Sequence, residues 1–235
     1  MKSTQTLLLF MLSFTLAAQT SPFRAGVTAG INLTQVDGDK QFGYQKKGLN
    51  LGLKGGIVFH DNWEVTTELI YNLKGAVPSK EEKNLNKRLI DIDLHYAEIP
   101  VLLKFSFLPS TEGYYKWHVF GGFSYGRLLQ SNVNVQKNDL SIDTTELNII
   151  NQLGFKSSDV NVIIGAVRYF SPRLGLSVRH TVSLTPYYNN PNPIASTNQM
   201  PEGYKTFRNY FLSINLVYDF VAPKMSMKKK KETPQ

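Results

Sequence analysis

His95-Tyr96-Ala97-Glu98-Ile99-Pro100-Val101-Leu102-Leu103-Lys104-Phe105-Ser106-Phe107 alternates strictly. Ala97, Ile99, Val101, Leu103, Phe105 and Phe107 share one face, and Tyr96, Glu98, Pro100, Leu102, Lys104 and Ser106 share the other. Successive strand side chains point to opposite sides, so the stretch reads as a strand with one wholly apolar face. That face runs for about 11 residues, the length a tilted strand needs to cross a bilayer. Its last members are aromatic. Glu98 and Lys104 are too costly to place in hydrocarbon, so the second face points into an enclosed interior. Pro100 donates no ladder hydrogen bond and predicts a bulge or local break there.

Seven more stretches repeat the pattern, near 23–34, 49–59, 63–74, 116–128, 158–170, 174–184 and 207–220. The connections between them alternate in length. Those near 35–48, 76–91, 129–156 and 185–206 are long; those near 60–62, 109–115 and 171–173 are short. Within 129–156, Asp143-Thr144-Thr145-Glu146 offers a cap for a short helix carrying Leu147, Ile150 and Leu153, though irregular loop is the simpler reading. Such alternation marks membrane barrels, which have short periplasmic turns and long outer loops. The apolar-face aromatics Phe23, Phe59, Trp63, Phe107, Trp117, Phe170 and Phe220 all fall at the short-turn ends, where one membrane interface would lie. A soluble sandwich gives no reason to gather them at one end. The other face is rich in small residues, among them Gly26, Gly30, Gly52, Gly56, Gly122, Ser124, Gly126 and Ser177, as a narrow interior requires. His180 is an exception on the apolar face, and Arg168 interrupts the apolar face of its own strand.

Residues 1–18 read as a signal peptide, with Lys2, an apolar run from Leu7 and the small pair Ala17-Ala18 before Gln19. Residues 19–222 are expected to form the barrel and 223–235 a Lys-rich periplasmic tail. No later run approaches the ~18 apolar residues of a spanning helix, so a membrane location demands a closed barrel. Cysteine is absent, which removes disulfides and thiolate chemistry. The net charge of +8 is local. Lys2 and the tail residues Lys224, Lys228, Lys229, Lys230, Lys231 and Glu232 carry +5 of it, leaving +3 for the body, and no nucleic-acid surface is expected.

Tyr96 through Lys104 resembles the "Y-x-E-I-P-x-L-L-K" strand of the PorT-like outer-membrane β-barrel proteins of Gram-negative bacteria. Glu68-Leu69-Ile70-Tyr71-Asn72-Leu73-Lys74-Gly75 resembles that family's "E-L-x-Y-x-x-K-G". Phe155-Lys156 with Asp159 and Gly165, and Arg179, are also similar, although His180 stands where Tyr is usual. Tyr218-Asp219-Phe220 resembles the aromatic terminal strand of such barrels, here followed by a tail. The resemblance implies a non-enzymatic protein of the outer membrane, some of whose relatives serve protein secretion. Its expected partners are outer-membrane lipid and envelope or secretion-complex proteins.

The fold expected is all-β: an eight-stranded antiparallel up-and-down transmembrane β-barrel, with long outer loops, short periplasmic turns and both termini periplasmic. Arg24, Lys54, Glu64, Glu68, Lys74, Glu98, Lys104, Arg179 and Asp219 fall on its interior face. Such a set serves either as an ion-paired plug or as a selectivity or proton-relay site. The plug is favoured, because buried charges must be paired. His60, His95, His118 and His180 lack metal-ligand spacing. Neither a nucleophile elbow nor a phosphate-cradling loop is visible. Catalysis, metal and cofactors are therefore not expected. Loop carboxylates such as Asp37, Asp39, Glu81 and Asp91 read as solvation rather than hydrolase chemistry. Two functions stay open: a structural or binding barrel, accessory to an envelope or secretion assembly, and a narrow porin-like channel for small solutes.

Overall fold

The computed structural model describes residues 22–37, 44–77, 89–136, 156–186, 188–189 and 206–221. Its strands are β1 (Phe23–Asp37), β2 (Lys46–His60), β3 (Trp63–Ala76), β4 (Leu89–Pro109), β5 (Tyr115–Gln136), β6 (Ser158–Tyr169), β7 (Leu174–Ser183), β8 (Tyr188–Asn189) and β9 (Thr206–Asp219). Strands β1 to β7 pair in sequence, β7 pairs with β9, and β9 closes on β1, all antiparallel. Eight strands therefore make the barrel wall. The short β8 pairs only with Thr206 and Phe207 at the start of β9.

The register fixes the barrel's size. From Ala25, the partners run through Gly55, Thr67, Val101, Phe123, Val162, Val182 and Tyr210, and return to β1 at Gln35, ten residues on. With ~3.3 Å per residue and ~4.7 Å between strands, that stagger over eight strands tilts them by about 41°. An interior of this size is just filled by side chains.

Facing follows the alternation. Leu49, Leu51, Leu53, Ile99, Val101 and Phe123 point outward and are half or more exposed. Tyr96 and Leu102 point inward and are fully buried, with Phe211 and Phe120 nearly so. From Phe23 to Leu33, the outward apolar face of β1 climbs about 25 Å along the barrel axis, the height of a barrel's lipid band. Phe105 rests on Trp63 with ring centroids 4.9 Å apart in the aromatic ring at the short-turn end. Arg168 lies at the same level, outward and exposed. Farther from that end, His180 faces outward and is hydrogen-bonded through Nε2 to the Tyr44 hydroxyl at 3.1 Å.

Three expectations need correction. Residues 89–91 and 129–136 are strand, not loop, so β4 and β5 extend well past the lipid band as a two-stranded ribbon. Residues 35–37 and 46–48 likewise belong to strands. The loop near 185–206 holds the short β8. The expected local break does sit at Pro100, without a bulge. The β3 ladder has no pairs between Thr67–Val101 and Ile70–Glu98, yet its register is kept. Pro100 has no N–H for β3, while its carbonyl accepts from the Thr67 hydroxyl at 3.1 Å. The register shift lies at His95/Tyr96, where Leu129 is extra in β5. The expected signal peptide, the helix near 143–153 and the Lys-rich tail lie outside the described residues.

The long-loop end of the lumen is covered from within. Strand β3 pairs with β2 only as far as Asn72 and then bends inward. The Asn32 amide donates to the Leu73 carbonyl at 3.2 Å and the Thr34 hydroxyl to the Gly75 carbonyl at 2.7 Å, so β3 crosses over β2 to the inner face of β1. Gly48 lies beneath the crossing, where any Cβ would collide with the Leu73 carbonyl oxygen. The bend uses Gly75 at φ 141°, a conformation L side chains rarely adopt. Carried along with β3, β4 buries Ile92 and Leu94 beside Ala76. Lys46 holds this cap through Asp91 and Asp93, both at 2.7 Å.

Candidate functional site

The nine charged residues assigned to the interior face from sequence all point inward, and the register joins eight of them into pairs. Nearest the cap, Lys74 bridges Glu98 and Asp159. The Asn72 amide donates to Glu98 at 2.7 Å, and the Ser183 hydroxyl to Asp159 at 2.5 Å. The Lys74 ammonium also sits over the rings of Tyr96 (4.7 Å) and Phe211 (4.6 Å). At mid-barrel, Arg179 forks onto Glu68, at 2.7 and 3.3 Å. Turning the Asn215 amide so that its oxygen faces Arg179 Nε (3.2 Å) also lets its nitrogen donate to Asn50 Oδ1 (2.9 Å).

Toward the short turns, Lys54 pairs with Asp219 at 2.5 Å, and the Tyr169 hydroxyl donates to the same carboxylate at 2.6 Å. Lys104 faces Glu64 more loosely, at 3.8 Å, while the Thr66 hydroxyl donates to Glu64 at 2.6 Å. Arg24 is half-buried and sits in the same field, near Tyr169. His118 shares a hydrogen bond with Ser106 at 2.8 Å and packs edge-on against Tyr169.

Amides link the levels. Asn50 donates to Asn32 (2.8 Å), Asn32 to Asn72 (3.1 Å), and Asn72 on to Glu98. Ser213 closes the seam by donating to Asn32 at 2.8 Å. A charge in a dry interior loses several kcal/mol of hydration, about what a well-made pair with extra hydrogen bonds restores. This arrangement holds side chains in place and leaves little room. The void between Asn50, Glu98, Arg179, Phe211 and Ser213 is about 10 Å³, space for about one water molecule. An apolar cluster of Leu102, Tyr114, Phe120, Ile163, Val167 and Tyr169 fills the rest of the section toward the short turns.

Asp159 and Tyr169 complete two of these clusters, and neither was assigned to the site from sequence. Both sit on the interior parity of the 158–170 stretch, so the alternation that found the others points to them too. The histidines do not converge. His118 faces inward, His95 faces outward against the Tyr71 hydroxyl, and His60 is exposed at a turn. Among the described residues no cluster of His, Asp and Glu is placed to hold a metal.

Residues 17–189 match the family model described as outer membrane protein beta-barrel domain. The chain belongs to that family. Membership puts this barrel in the outer membrane, with its apolar band against lipid. Its fold is similar to that of Ail, the attachment invasion locus protein of Yersinia pestis, at 13% identity and a TM-score of 0.44, covering 86% of this chain and 100% of that one. Neisserial surface protein A is similar at 14% identity and a TM-score of 0.42, covering 85% and 98%. No curated protein matches the chain.

Proposed function

We propose that this outer-membrane barrel is a non-enzymatic anchor and binding scaffold, whose lumen is a structural core and whose long-loop end engages other envelope components. The observation that carries this reading is the filled interior: paired charges at three levels, a water-sized void, and the in-folded end of β3 across one mouth. A narrow solute channel needs a continuous wet path, and the section between Arg179 and Tyr169 argues against one. A PorT-like role, as accessory to an envelope or secretion assembly, is the finer form of the proposal and rests on the resemblance of Tyr96 through Lys104. The short turns, at 61–62, 110–114 and 170–173, are assigned to the periplasm, and with them both termini.

Two experiments test this. Purified protein in planar bilayers is expected to show no stable single-channel currents; steady large conductance would overturn the scaffold reading. A tag near 80–90 or 189–199 is expected to bind antibody on whole cells, and a tag after residue 223 only after permeabilisation. The reverse pattern would invert the proposed orientation.

A further inference from the structure

We infer that the lipid-facing surface over β5 and β6 binds one phosphate-bearing glycerophospholipid, with Arg168 as its headgroup ligand. Arg168 lies on an outward face that otherwise presents Val160, Val162, Ile164 and Ala166. It stands opposite Trp117 in β5 and Leu176 in β7. Its guanidinium is 5.7 Å from the Trp117 ring and 5.5 Å from the Phe170 ring. Among the described residues no carboxylate and no hydrogen-bond acceptor meets it. The two rings flank the guanidinium, but they neutralise no charge and give its five N–H donors no oxygen acceptor. Trp117 and Phe170 belong to the aromatic ring at the short-turn interface, where headgroup oxygens are the acceptors within reach. A phosphate takes two guanidinium donors side by side, in a geometry a hydrated lysine does not offer.

The surface beyond Arg168 fits the rest of the same molecule. Toward the membrane centre, the next outward pair is Val119 with Ala166, followed by Gly121 with Ile164. Gly121 and Ala166 form a low floor, with Leu103 and Phe105 rising on one side and Val178 on the other. Together they bound an open apolar groove of about 810 Å³. An interfacial cation with an apolar trough leading from it into the bilayer matches a phosphate joined to an acyl chain. Phospholipid and lipopolysaccharide both carry such a phosphate. The periplasmic placement of the short turns, proposed above and judged separately by tag accessibility, puts Arg168 in the inner leaflet and selects phospholipid.

Native mass spectrometry of the folded barrel tests this, using micelles doped equally with phosphatidylglycerol and a diacylglycerol of the same chains. Wild-type protein is expected to retain one phosphatidylglycerol in preference to the diacylglycerol. Arg168→Gln is expected to lower that occupancy about tenfold, and Arg168→Lys to restore part of it. Ala166→Phe, which fills the groove and keeps the charge, is expected to lower it as well. Arg173→Gln, a cation in the adjacent turn, is expected to leave it unchanged. A heat-dependent gel shift shows that each variant is folded. Unchanged occupancy in Arg168→Gln would overturn the inference. So would an equal loss in Arg173→Gln, equal retention of diacylglycerol, or capture of added lipopolysaccharide through Arg168 in place of phospholipid.

Discussion

Replacing Glu68 with Ala leaves the Arg179 guanidinium at mid-barrel without its carboxylate. The pair is forked, and its side chains are only 5% and 3% exposed. Breaking a pair buried to this degree costs about 3–5 kcal/mol, most of it the penalty on the stranded charge. The lower end applies here, because Asn215 still holds Arg179 Nε and a water in the adjoining void can take one of the freed donors. A loss of about 3 kcal/mol is more than a hundredfold in the folding equilibrium, and a large share of a typical 5–15 kcal/mol. Glu68→Met combined with Arg179→Met removes both charges and refills the volume, so the double variant is expected to lie within about 1 kcal/mol of wild type. Urea titration in lipid vesicles gives the measurement, followed by the fluorescence of Trp63 and Trp117, the chain's two tryptophans. If Glu68→Ala costs less than about 1 kcal/mol, or if the double variant loses as much as both single changes together, the charged lumen is not held by pairing as described.

Two further perturbations separate the faces and the cap. Leu103→Lys places a charge on the lipid side and is expected to cost about 2–4 kcal/mol in the same titration, whereas Lys104→Gln, on the lumen side beside a loosely held Glu64, is expected to cost less; the opposite order would mean that β4 is read one residue out of phase. Gly75→Val is incompatible with the φ of 141° and would drive its Cβ into the Ile92 carbonyl, so the cap is expected to lift. In this cysteine-free chain a single Cys at position 94 reports it: maleimide labelling should be slow in the parent and at least about tenfold faster with Gly75→Val, and equal rates would show that the bend does not hold the cap.

Alternation made the barrel legible. On β4 it separated Ile99, Val101 and Leu103 from Glu98, Leu102 and Lys104 without any knowledge of neighbours, because the period of a strand depends on its own backbone alone. The same rule assigns each charged residue to a face but cannot say which charge meets which. Lys74 lies 85 residues from Asp159, and Arg179 lies 111 from Glu68. Those partners depend on several registers at once, three between β3 and β6 and four between β3 and β7. The extended ribbon was visible in kind: Leu89 to Leu94 and Ser131 to Gln136 both alternate, but they lie beyond the length a bilayer requires and so read as loop. The cap was hidden for another reason. A single glycine conformation at position 75 turns β3 inward, and many glycines in this sequence serve only to save space.

The seam between β1 and β9 joins the two ends of the described chain, with Asn32 and Ser213 in contact across 181 residues. Before β9 docks, β1 and β7 both present unpaired backbone edges, which in hydrocarbon cannot be tolerated and in water invite aggregation. Part of the lumen network waits on the same event, because Asp219, the partner of Lys54, comes from β9 and the Asn32 ladder is completed by Ser213. A half-wrapped sheet would therefore have neither its backbone nor its interior satisfied. Assembly of this protein has to be nearly all-or-none, its slow step the meeting of the earliest strand with the latest, and the nascent chain needs shelter until that meeting occurs.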